Sequence, residues 1–279
     1  MIIWLASYPK SGNTMIRSLL SSYFFSKDGI FEFDLIKNIN QFPTNVFFRK
    51  FGFETKNNMQ MIKNYIKVQE SFNKKDQVQF LKTHSSLFNI DNNHFTNLDC
   101  SLGAIYIVRD PRNVVSSFAR HFSCSIKEAS STMINGHAIG TDTDGYGIQY
   151  IGSWKYNFNS WKSFKSPKKY LLIKYEDLVN NTEETFLEIF NFINKLNKSN
   201  LIIDKKRLSN VLKSCDFELL KKKEANEGFI EAPIDKNSKK EISIFNIGKK
   251  NDYKESLDLN IRREIESSFQ KEMEELEYL

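Results

Sequence analysis

The stretch IIWLASYPKSGNT, residues 2–14, joins a short apolar run to a polar loop that contains one glycine. The apolar run at residues 2–7 is rich in branched side chains, which is typical of a buried β-strand. From Met15 to Phe25, apolar residues recur at the three-to-four spacing of a helix. Strand, glycine-containing loop and helix in this order predict the first unit of a parallel α/β sheet.

The loop between this strand and this helix, YPKSGNT at residues 8–14, has the features of a phosphate cradle. Gly12 lets the backbone come close to a ligand, and the N–H groups that begin the helix attract an anion. Lys10 adds a positive charge, and Ser11 and Thr14 add hydroxyl donors. The loop lacks the Walker pattern, because it has one glycine and Lys10 precedes it. An ordinary strand-to-helix turn with a surface lysine has the same spacing and stays open at this point.

Further along the chain, apolar runs alternate with helical spacings. Three more strands are predicted, at residues 78–84, 103–111 and 170–178. Helices are predicted at residues 113–122, 153–164, 182–195 and 259–279, whereas residues 123–150 are rich in Ser, Gly, Thr and Asp and are expected to form a mobile excursion. We therefore predict one α/β domain over residues 1–279, with a central parallel sheet of about four or five strands and helices on both faces.

Basic side chains lie at the carboxyl ends of the predicted second and third strands. In a parallel sheet, ligands bind beyond the carboxyl ends of the strands. His84 is a candidate general base there, and Lys82 can stabilise developing negative charge. Arg109 can hold a phosphate with its planar fork, and Ser117, about two turns along the next helix, can share that phosphate. Together these ends predict a site for a ligand with two separate phosphates. Each residue alone also has a simpler explanation, which stays open. Lys82 and His84 would form a solvated strand end, Arg109 would pair with Asp110 or another carboxylate, and Ser117 would lie on the helix surface.

Composition excludes several classes of protein. The chain has 279 residues, 40% of them hydrophobic and 14% aromatic, which is too apolar for a disordered protein. No apolar run approaches the length of a membrane span, so we expect no membrane insertion. The three cysteines show no CxxC spacing and the start lacks a signal-peptide pattern, so we expect a cytoplasmic protein without disulfides or zinc. The net charge of +6 is mild and no groove-reading motif is present, so we expect an anionic small ligand and no nucleic acid.

These residues resemble a known family. YPKSGNT at 8–14 is similar to the 5′-phosphosulfate loop, typically YPKSGTTW, of sulfotransferases that use 3′-phosphoadenosine 5′-phosphosulfate (PAPS). Arg109 to Ser117 resembles their 3′-phosphate motif, and Lys82 to His84 resembles the motif of their catalytic histidine. Four shorter matches follow in order along the chain: KYEDL at 174–178, SCDF at 214–217, EAP at 231–233 (similar to bacterial members) and the segment from Gly248 to Lys254.

The resemblance implies an α/β fold with a phosphosulfate loop like that of P-loop NTPases, and PAPS as co-substrate. It implies that His84, Lys10 and Lys82 are catalytic, and that no metal is needed because lysines balance the charge. The residues implied to bind PAPS are Lys10, Ser11, Gly12, Asn13, Thr14, Met15, Arg109, Ser117, Tyr175, Phe217, Gly248 and Lys249.

Four positions depart from the family pattern. Met15 stands where the family usually has Trp, Asn246 and Ile247 stand where a basic pair usually precedes the glycine, and Tyr253 replaces Trp. Loss of the basic pair removes two positive charges near the expected 3′-phosphate, unless Lys249 or Lys250 compensates. A nucleotide or small-molecule kinase, and a non-catalytic nucleotide-binding module with a decayed site, therefore stay open as alternatives.

The acceptor is expected to be a small molecule, a lipid or a glycan that reacts through a hydroxyl, with an amine as the alternative. Loops at residues 30–75 and 120–152 are expected to line its pocket, because such loops vary most. Seven phenylalanines between Phe31 and Phe53 indicate either an apolar, ring-bearing acceptor or ordinary packing of the loop.

Overall fold

Parallel strands form the centre of the protein. The computed structural model describes residues 1–53, 57–73, 77–140, 147–164, 169–235 and 238–279. The strands in these ranges are β1 (Ile2–Ser7), β2 (Gln79–Thr83), β3 (Asn89–Ile90), β4 (Asn93–His94), β5 (Ser101–Val108), β6 (His137–Ile139), β7 (Gln149–Gly152) and β8 (Tyr170–Lys174). Four of them pair in the order β2-β1-β5-β8, with every neighbouring pair parallel. The predicted parallel sheet is confirmed, and the carboxyl ends of its strands meet at one edge.

Helices connect these strands. The α-helices in the described ranges are α1 (Asn13–Phe25), α2 (Asn45–Lys50), α3 (Asn58–Phe72), α4 (Pro111–Phe122), α5 (Ile126–Asn135), α6 (Trp154–Lys162), α7 (Tyr175–Asn180), α8 (Thr182–Asn197), α9 (Lys205–Ser214), α10 (Phe217–Glu227), α11 (Tyr253–Ser256), α12 (Leu259–Ser268) and α13 (Gln270–Glu275). Short 3₁₀ helices span Phe33–Asn38 and Gly248–Lys250. None of the helices in these ranges is long and apolar enough to cross a membrane.

The sheet separates two apolar clusters, because side chains along a strand point alternately to its two faces. From β1, Trp4 joins the cluster on one face, whereas Ile3 and Leu5 join the cluster on the other. Helices α4 and α6 pack into the first cluster, and α1 and α8 pack into the second. Coverage of both faces is therefore confirmed, and it buries all six residues of β1.

Aromatic residues belong to this packing, including phenylalanines whose role the sequence left open. Trp154 and Trp161 on α6 are fully buried in the first cluster. Phe42 and Phe48, from the phenylalanine-rich loop, are buried in the same cluster, and Phe51 packs against it. Ordinary packing therefore explains these loop phenylalanines.

Four element predictions were wrong in their extent. The strand predicted at 103–111 spans Ser101–Val108, and α4 begins at Pro111. The strand predicted at 170–178 ends at Lys174, and α7 begins at Tyr175, with Glu176 and Asp177 in its first turn where the helix dipole favours acidic side chains. The excursion predicted at 123–150 contains α5 and the antiparallel pair β6–β7. Helix α5 begins with a capping box formed by Ser125 and Glu128. Residues 141–146 of the excursion lie outside the described residues. The terminal helix is two helices, α12 and α13, which meet at the buried Phe269.

One segment of the first long loop, which is residues 26–44 between α1 and α2, lies along the outer edge of β2. The Lys82 backbone N–H donates to the Asn40 carbonyl at 2.9 Å, and its carbonyl accepts from the Phe42 N–H at 2.8 Å. Gln41 thereby forms a parallel bridge with Lys82. The first long loop is thus fixed beside the carboxyl end of β2, where the candidate site lies.

Candidate active site

The loop after β1 has a backbone that its residue types dictate. Gly12 has a φ of 101°, in the left-handed region that favours glycine, and an added Cβ would overlap the Tyr175 ring. Lys10 has a φ of 68°, which is uncommon for a residue with a side chain and concentrates at functional sites. Gly12 is the N-cap residue of α1 and has no side chain to accept a hydrogen bond. The first backbone N–H groups of α1 therefore have no side-chain capping partner. Uncapped N–H groups at the start of a helix attract an anion.

Asn13 ties this loop to the strand before it. Its Nδ2 donates to the Leu5 carbonyl at 2.9 Å and to the Ser7 Oγ at 3.2 Å. Ser7 in turn contacts His84, so one hydrogen-bonded group links the start of α1, the end of β1 and the residue after β2.

His84 is held in one tautomer. Its Nδ1 lies 2.9 Å from the Ser7 carbonyl oxygen, which can only accept, so Nδ1 carries the proton and Nε2 carries the lone pair. Burial, together with the charges of Lys82 and Lys10, lowers the pKa of His84 to about 3. The ring is therefore neutral at pH 7, with a nitrogen able to accept a proton.

Positive charge is concentrated around His84. Burial lowers the pKa of Lys10 to about 7, with further lowering by Arg120, Lys82 and Arg109. Lys82 has a carboxylate neighbour, because its Nζ lies 3.4 Å from Glu231 Oε2. A bound anion would raise the pKa of Lys10, because an opposite charge nearby favours the protonated form.

Arg109 directly follows β5 and contacts the loop. Its guanidinium stacks on the Tyr175 ring, 4.2 Å from the ring centroid. It donates to the carbonyls of Lys10 at 3.4 Å and Gly248 at 3.3 Å, both long for a hydrogen bond. Its buried Nε has no partner among the described residues. The planar fork is thus oriented but incompletely bonded, which suits a phosphate ligand.

Phe217 packs against the backbone at Gly248. Gly248 has a φ of 61°, and a Cβ there would overlap the Phe217 ring. The ring also meets Phe245 edge to face, with centroids 6.0 Å apart. This apolar wall lies beside the Arg109 contact to Gly248, so the same segment offers a flat surface and a charge.

A single cavity of about 730 Å³ collects these groups. The residues that the sequence predicted for the site and that line this cavity are Lys10, Gly12, Asn13, Thr14, Met15, Lys82, His84, Arg109, Ser117, Tyr175, Phe217 and Gly248. Ser11 does not line it: its hydroxyl is buried without a partner among the described residues. The side chain of Lys249 lies outside the described residues. Asn246 and Ile247 line the cavity where the family has its basic pair.

Sequence reasoning missed several residues of this cavity. Arg120 and His121 on α4 line it, as does Gln149 on β7. Arg120 lies three residues after Ser117, and helical spacing alone puts the two on one face. Burial and the neighbouring Lys10 and Lys82 lower the pKa of His121, so this second imidazole is also neutral.

Glu231 is the other missed residue. Its two carboxylate oxygens accept from both terminal nitrogens of Arg17, at 2.8 and 2.9 Å, and one also contacts Lys82. Although burial opposes it, Lys82 and Arg17 hold the pKa of Glu231 well below its usual range. The EAP match at 231–233 was the sequence signal, but nothing in it indicated these partners.

Comparison with known proteins decides the family. The model of the sulfotransferase domain matches residues 2–277. The chain belongs to the sulfotransferase domain family. The resemblance found in the motifs is therefore confirmed, and the protein is a sulfotransferase enzyme.

Solved structures support the fold of this sulfotransferase. It resembles mouse sulfotransferase SULT7A1 complexed with PAP (adenosine 3′,5′-bisphosphate), with a TM-score of 0.59 and 14% sequence identity. The match covers 98% of this chain and 84% of that one. It also resembles retinol dehydratase in a complex with retinol and PAP, with a TM-score of 0.57 and 15% identity over 98% of this chain and 81% of that one. A search of curated protein sequences gave no significant match.

Proposed function

We propose that this sulfotransferase moves a sulfuryl group from PAPS to a hydroxyl of its acceptor, with His84 as general base. One observation carries the proposal. The Ser7 carbonyl fixes the His84 tautomer, and the free Nε2 shares one cavity with the Lys10 loop and Arg109. Membership of the sulfotransferase family supports the same reaction.

The lining residues suit the two charged ends of PAPS. The 5′-phosphosulfate would lie on the uncapped start of α1, beside Lys10, where N–H groups and a positive charge already converge. Arg109 and Ser117 would hold the 3′-phosphate, which would give the unpartnered Arg109 Nε its hydrogen bond. Phe217 offers a flat face for the base.

The transfer step then follows from these positions. The acceptor hydroxyl gives its proton to His84 Nε2 while its oxygen attacks sulfur. The bond between sulfur and the bridging oxygen of the 5′-phosphate breaks, and adenosine 3′,5′-bisphosphate (PAP) leaves. Lys10 and Lys82 would balance the negative charge on the bridging oxygen and the transferring group. As in phosphoryl transfer, positioning and electrostatic stabilisation supply most of the acceleration.

The low pKa of His84 in the unliganded protein agrees with this role. Much of the lowering comes from burial and the adjacent lysines. An anionic co-substrate would neutralise those lysines and raise the pKa of His84 toward the range in which a base works well.

Calorimetric titration tests the co-substrate. PAP, adenosine 5′-phosphate and ATP are titrated separately into the protein, each with and without magnesium. We expect that only PAP, of the three nucleotides, binds tightly and that magnesium does not change its affinity. Equal binding of PAP and adenosine 5′-phosphate would overturn the 3′-phosphate assignment, and magnesium-dependent binding of ATP would favour a kinase.

Turnover is the second part of the test. PAPS is supplied with a panel of hydroxylated acceptors, and release of PAP is followed. Binding of PAP without release from PAPS across a broad panel would favour a non-catalytic nucleotide-binding module.

A further inference from the structure

The cavity that contains His84 is also lined by a polar group that the reaction with PAPS does not use. Gln149 on β7 is 2% exposed and lines the cavity. Its side-chain Oε1 is buried and accepts no hydrogen bond from any residue in the described ranges. Buried polar atoms nearly always have a partner in folded proteins. Gln149 Oε1 is therefore an acceptor at the cavity wall that lacks a donor within the described residues.

Short contacts tie the strand that carries Gln149 to the backbone at residues 84–86. Ser86 donates to the Tyr150 carbonyl from both its backbone N–H and its hydroxyl, each at 2.8 Å. Asn157 Nδ2 donates to the His84 carbonyl at 3.0 Å and to the Ile151 carbonyl at 2.9 Å. The strand is thus attached to the backbone at residues 84–86 through Tyr150 and Ile151, the two residues that follow Gln149.

The mouth of the cavity has the opposite character. Ile230 is 71% exposed and Ile234 is 64% exposed, and both line the cavity. They flank Glu231, whose contact with Lys82 places this segment on the His84 side. Phe122 and Ile139 add further apolar surface to the lining. Exposed apolar side chains that continue into an active site indicate an apolar part of the ligand.

We infer that the acceptor is an amphiphile whose head has at least two hydroxyl groups. One hydroxyl reacts at His84 and a second donates to Gln149 Oε1, while an apolar body leaves the cavity over Ile230 and Ile234. The inference rests on the proposed function, since it names the acceptor class of that reaction. An alcohol without a second hydroxyl leaves Gln149 without its donor, and a free sugar leaves the isoleucines in water.

Three probes separate the two parts of the acceptor. Octyl glucoside has the head and the body, methyl glucoside has the head alone, and octan-1-ol has the body alone. Each is supplied with PAPS below any micelle-forming concentration, and release of PAP is measured. We expect kcat/KM for octyl glucoside to exceed that of either partial probe by at least about tenfold, the value of one hydrogen bond or a few buried methylenes.

Variants assign the two parts to residues. Gln149→Leu should lower the ratio of kcat/KM for octyl glucoside to that for octan-1-ol by about tenfold, and Gln149→Glu, which keeps an acceptor oxygen, should restore part of it. Ile230→Ser with Ile234→Ser should lower the ratio of octyl glucoside to methyl glucoside. Ile202→Ser is the matched control, because Ile202 is 91% exposed and does not line the cavity.

The outcomes distinguish this inference from the proposed function. Equal kcat/KM for octyl glucoside and octan-1-ol, or an unchanged ratio in Gln149→Leu, overturns the second hydroxyl. Reaction of none of the probes by a protein that binds PAP overturns the amphiphilic acceptor and leaves PAPS as co-substrate. Failure to bind PAP overturns the proposed function itself. The comparison of the three probes on the unaltered protein tests the acceptor class even where a variant does not fold.

Discussion

Arg17 and Glu231 meet through two parallel hydrogen bonds of 2.8 and 2.9 Å, although 214 residues separate them. The Arg17 side chain is 2% exposed, and it also donates to the Ile36 and Ile39 carbonyls. Its fork therefore joins α1, the first long loop and the segment that carries Glu231. Because Glu231 also contacts Lys82, this ion pair connects packing of the core with the charge at the candidate site.

Glu231→Gln should destabilise the protein strongly, because it leaves the Arg17 charge buried without its partner. We expect a loss of about 3 kcal/mol or more in the free energy of unfolding at pH 7. The pKa of Glu231 is lower in the folded state than in the unfolded chain, so its contribution is present above the unfolded pKa and is lost as pH falls through and below it. Urea unfolding at pH 7 and pH 4 checks both statements.

Asp34→Asn is the control for that prediction, since it removes the exposed ion pair with Lys37. Exposed pairs contribute little to stability, so its urea midpoint should match that of the unaltered protein. Equal losses in the free energy of unfolding for the two substitutions would show that the buried pair of Arg17 and Glu231 contributes no more than an exposed pair.

His84→Ala should abolish transfer while PAP binding stays close to that of the unaltered protein. Loss of a general base costs about 10²–10⁴-fold in rate. His121→Ala provides the comparison, because His121 lines the same cavity but has an Nδ1 without a partner among the described residues to fix its tautomer. A larger loss of kcat in His121→Ala than in His84→Ala would transfer the role of base to His121.

Arg109→Ala should weaken PAP far more than adenosine 5′-phosphate. A hydrogen bond to a charged group contributes about 1.5–3 kcal/mol, which corresponds to roughly 10–100-fold in affinity. Arg109→Lys keeps the charge but loses the fork, so we expect an intermediate affinity. Calorimetric titration with both nucleotides measures the difference, and an equal loss for both would mean that Arg109 does not recognise the 3′-phosphate.

Binding of PAP should take up a proton at Lys10 when the pH is above 7. The pKa of Lys10 is lowered to about 7 in the unliganded protein, so at pH 8 the amine is largely neutral. A bound phosphate raises this pKa, and the amine gains a proton from solvent. PAP affinity should consequently fall as pH rises above 7. Titration at pH 8 in buffers of different ionisation enthalpy measures the uptake, which Lys10→Arg should remove.

Gly12→Ala should destabilise more than Gly52→Ala. Both glycines have positive φ, 101° and 76°, but a Cβ on Gly12 overlaps the Tyr175 ring whereas a Cβ on Gly52 meets open space. The backbone cost alone is about 1 kcal/mol, and overpacking adds about 1–3 kcal/mol at Gly12. Thermal unfolding compares the variants, and equal shifts in Tm would mean that the ring moves away freely.

The sheet and most of the candidate site could be predicted because their signals are local. Strand β1 and the loop through Thr14 occupy thirteen consecutive residues, and the ends of β2 and β5 carry His84 and Arg109 directly. The parallel arrangement then brings separate motifs to one edge without further information.

The remaining residues depend on contacts that no local pattern contains. Glu231 is defined by Arg17, and Gln149 by a cavity that closes only when β7 docks beside Ser86. The helix from Tyr175 was missed for a similar reason: its apolar residues continue the run of β8, but the strand stops where its neighbour β5 stops pairing, at Lys174. Periodicity in a short apolar run does not separate strand from helix.

The bridge between Gln41 and Lys82 also covers part of the outer margin of the sheet. An exposed strand at a sheet margin offers unpaired backbone groups to a second molecule, and such groups seed aggregation. At Lys82 the outward N–H and carbonyl are already bonded to Asn40 and Phe42. A loop that borders the cavity thus also blocks intermolecular strand pairing at this point. Substitutions in this loop that are made to change the acceptor would therefore favour aggregation.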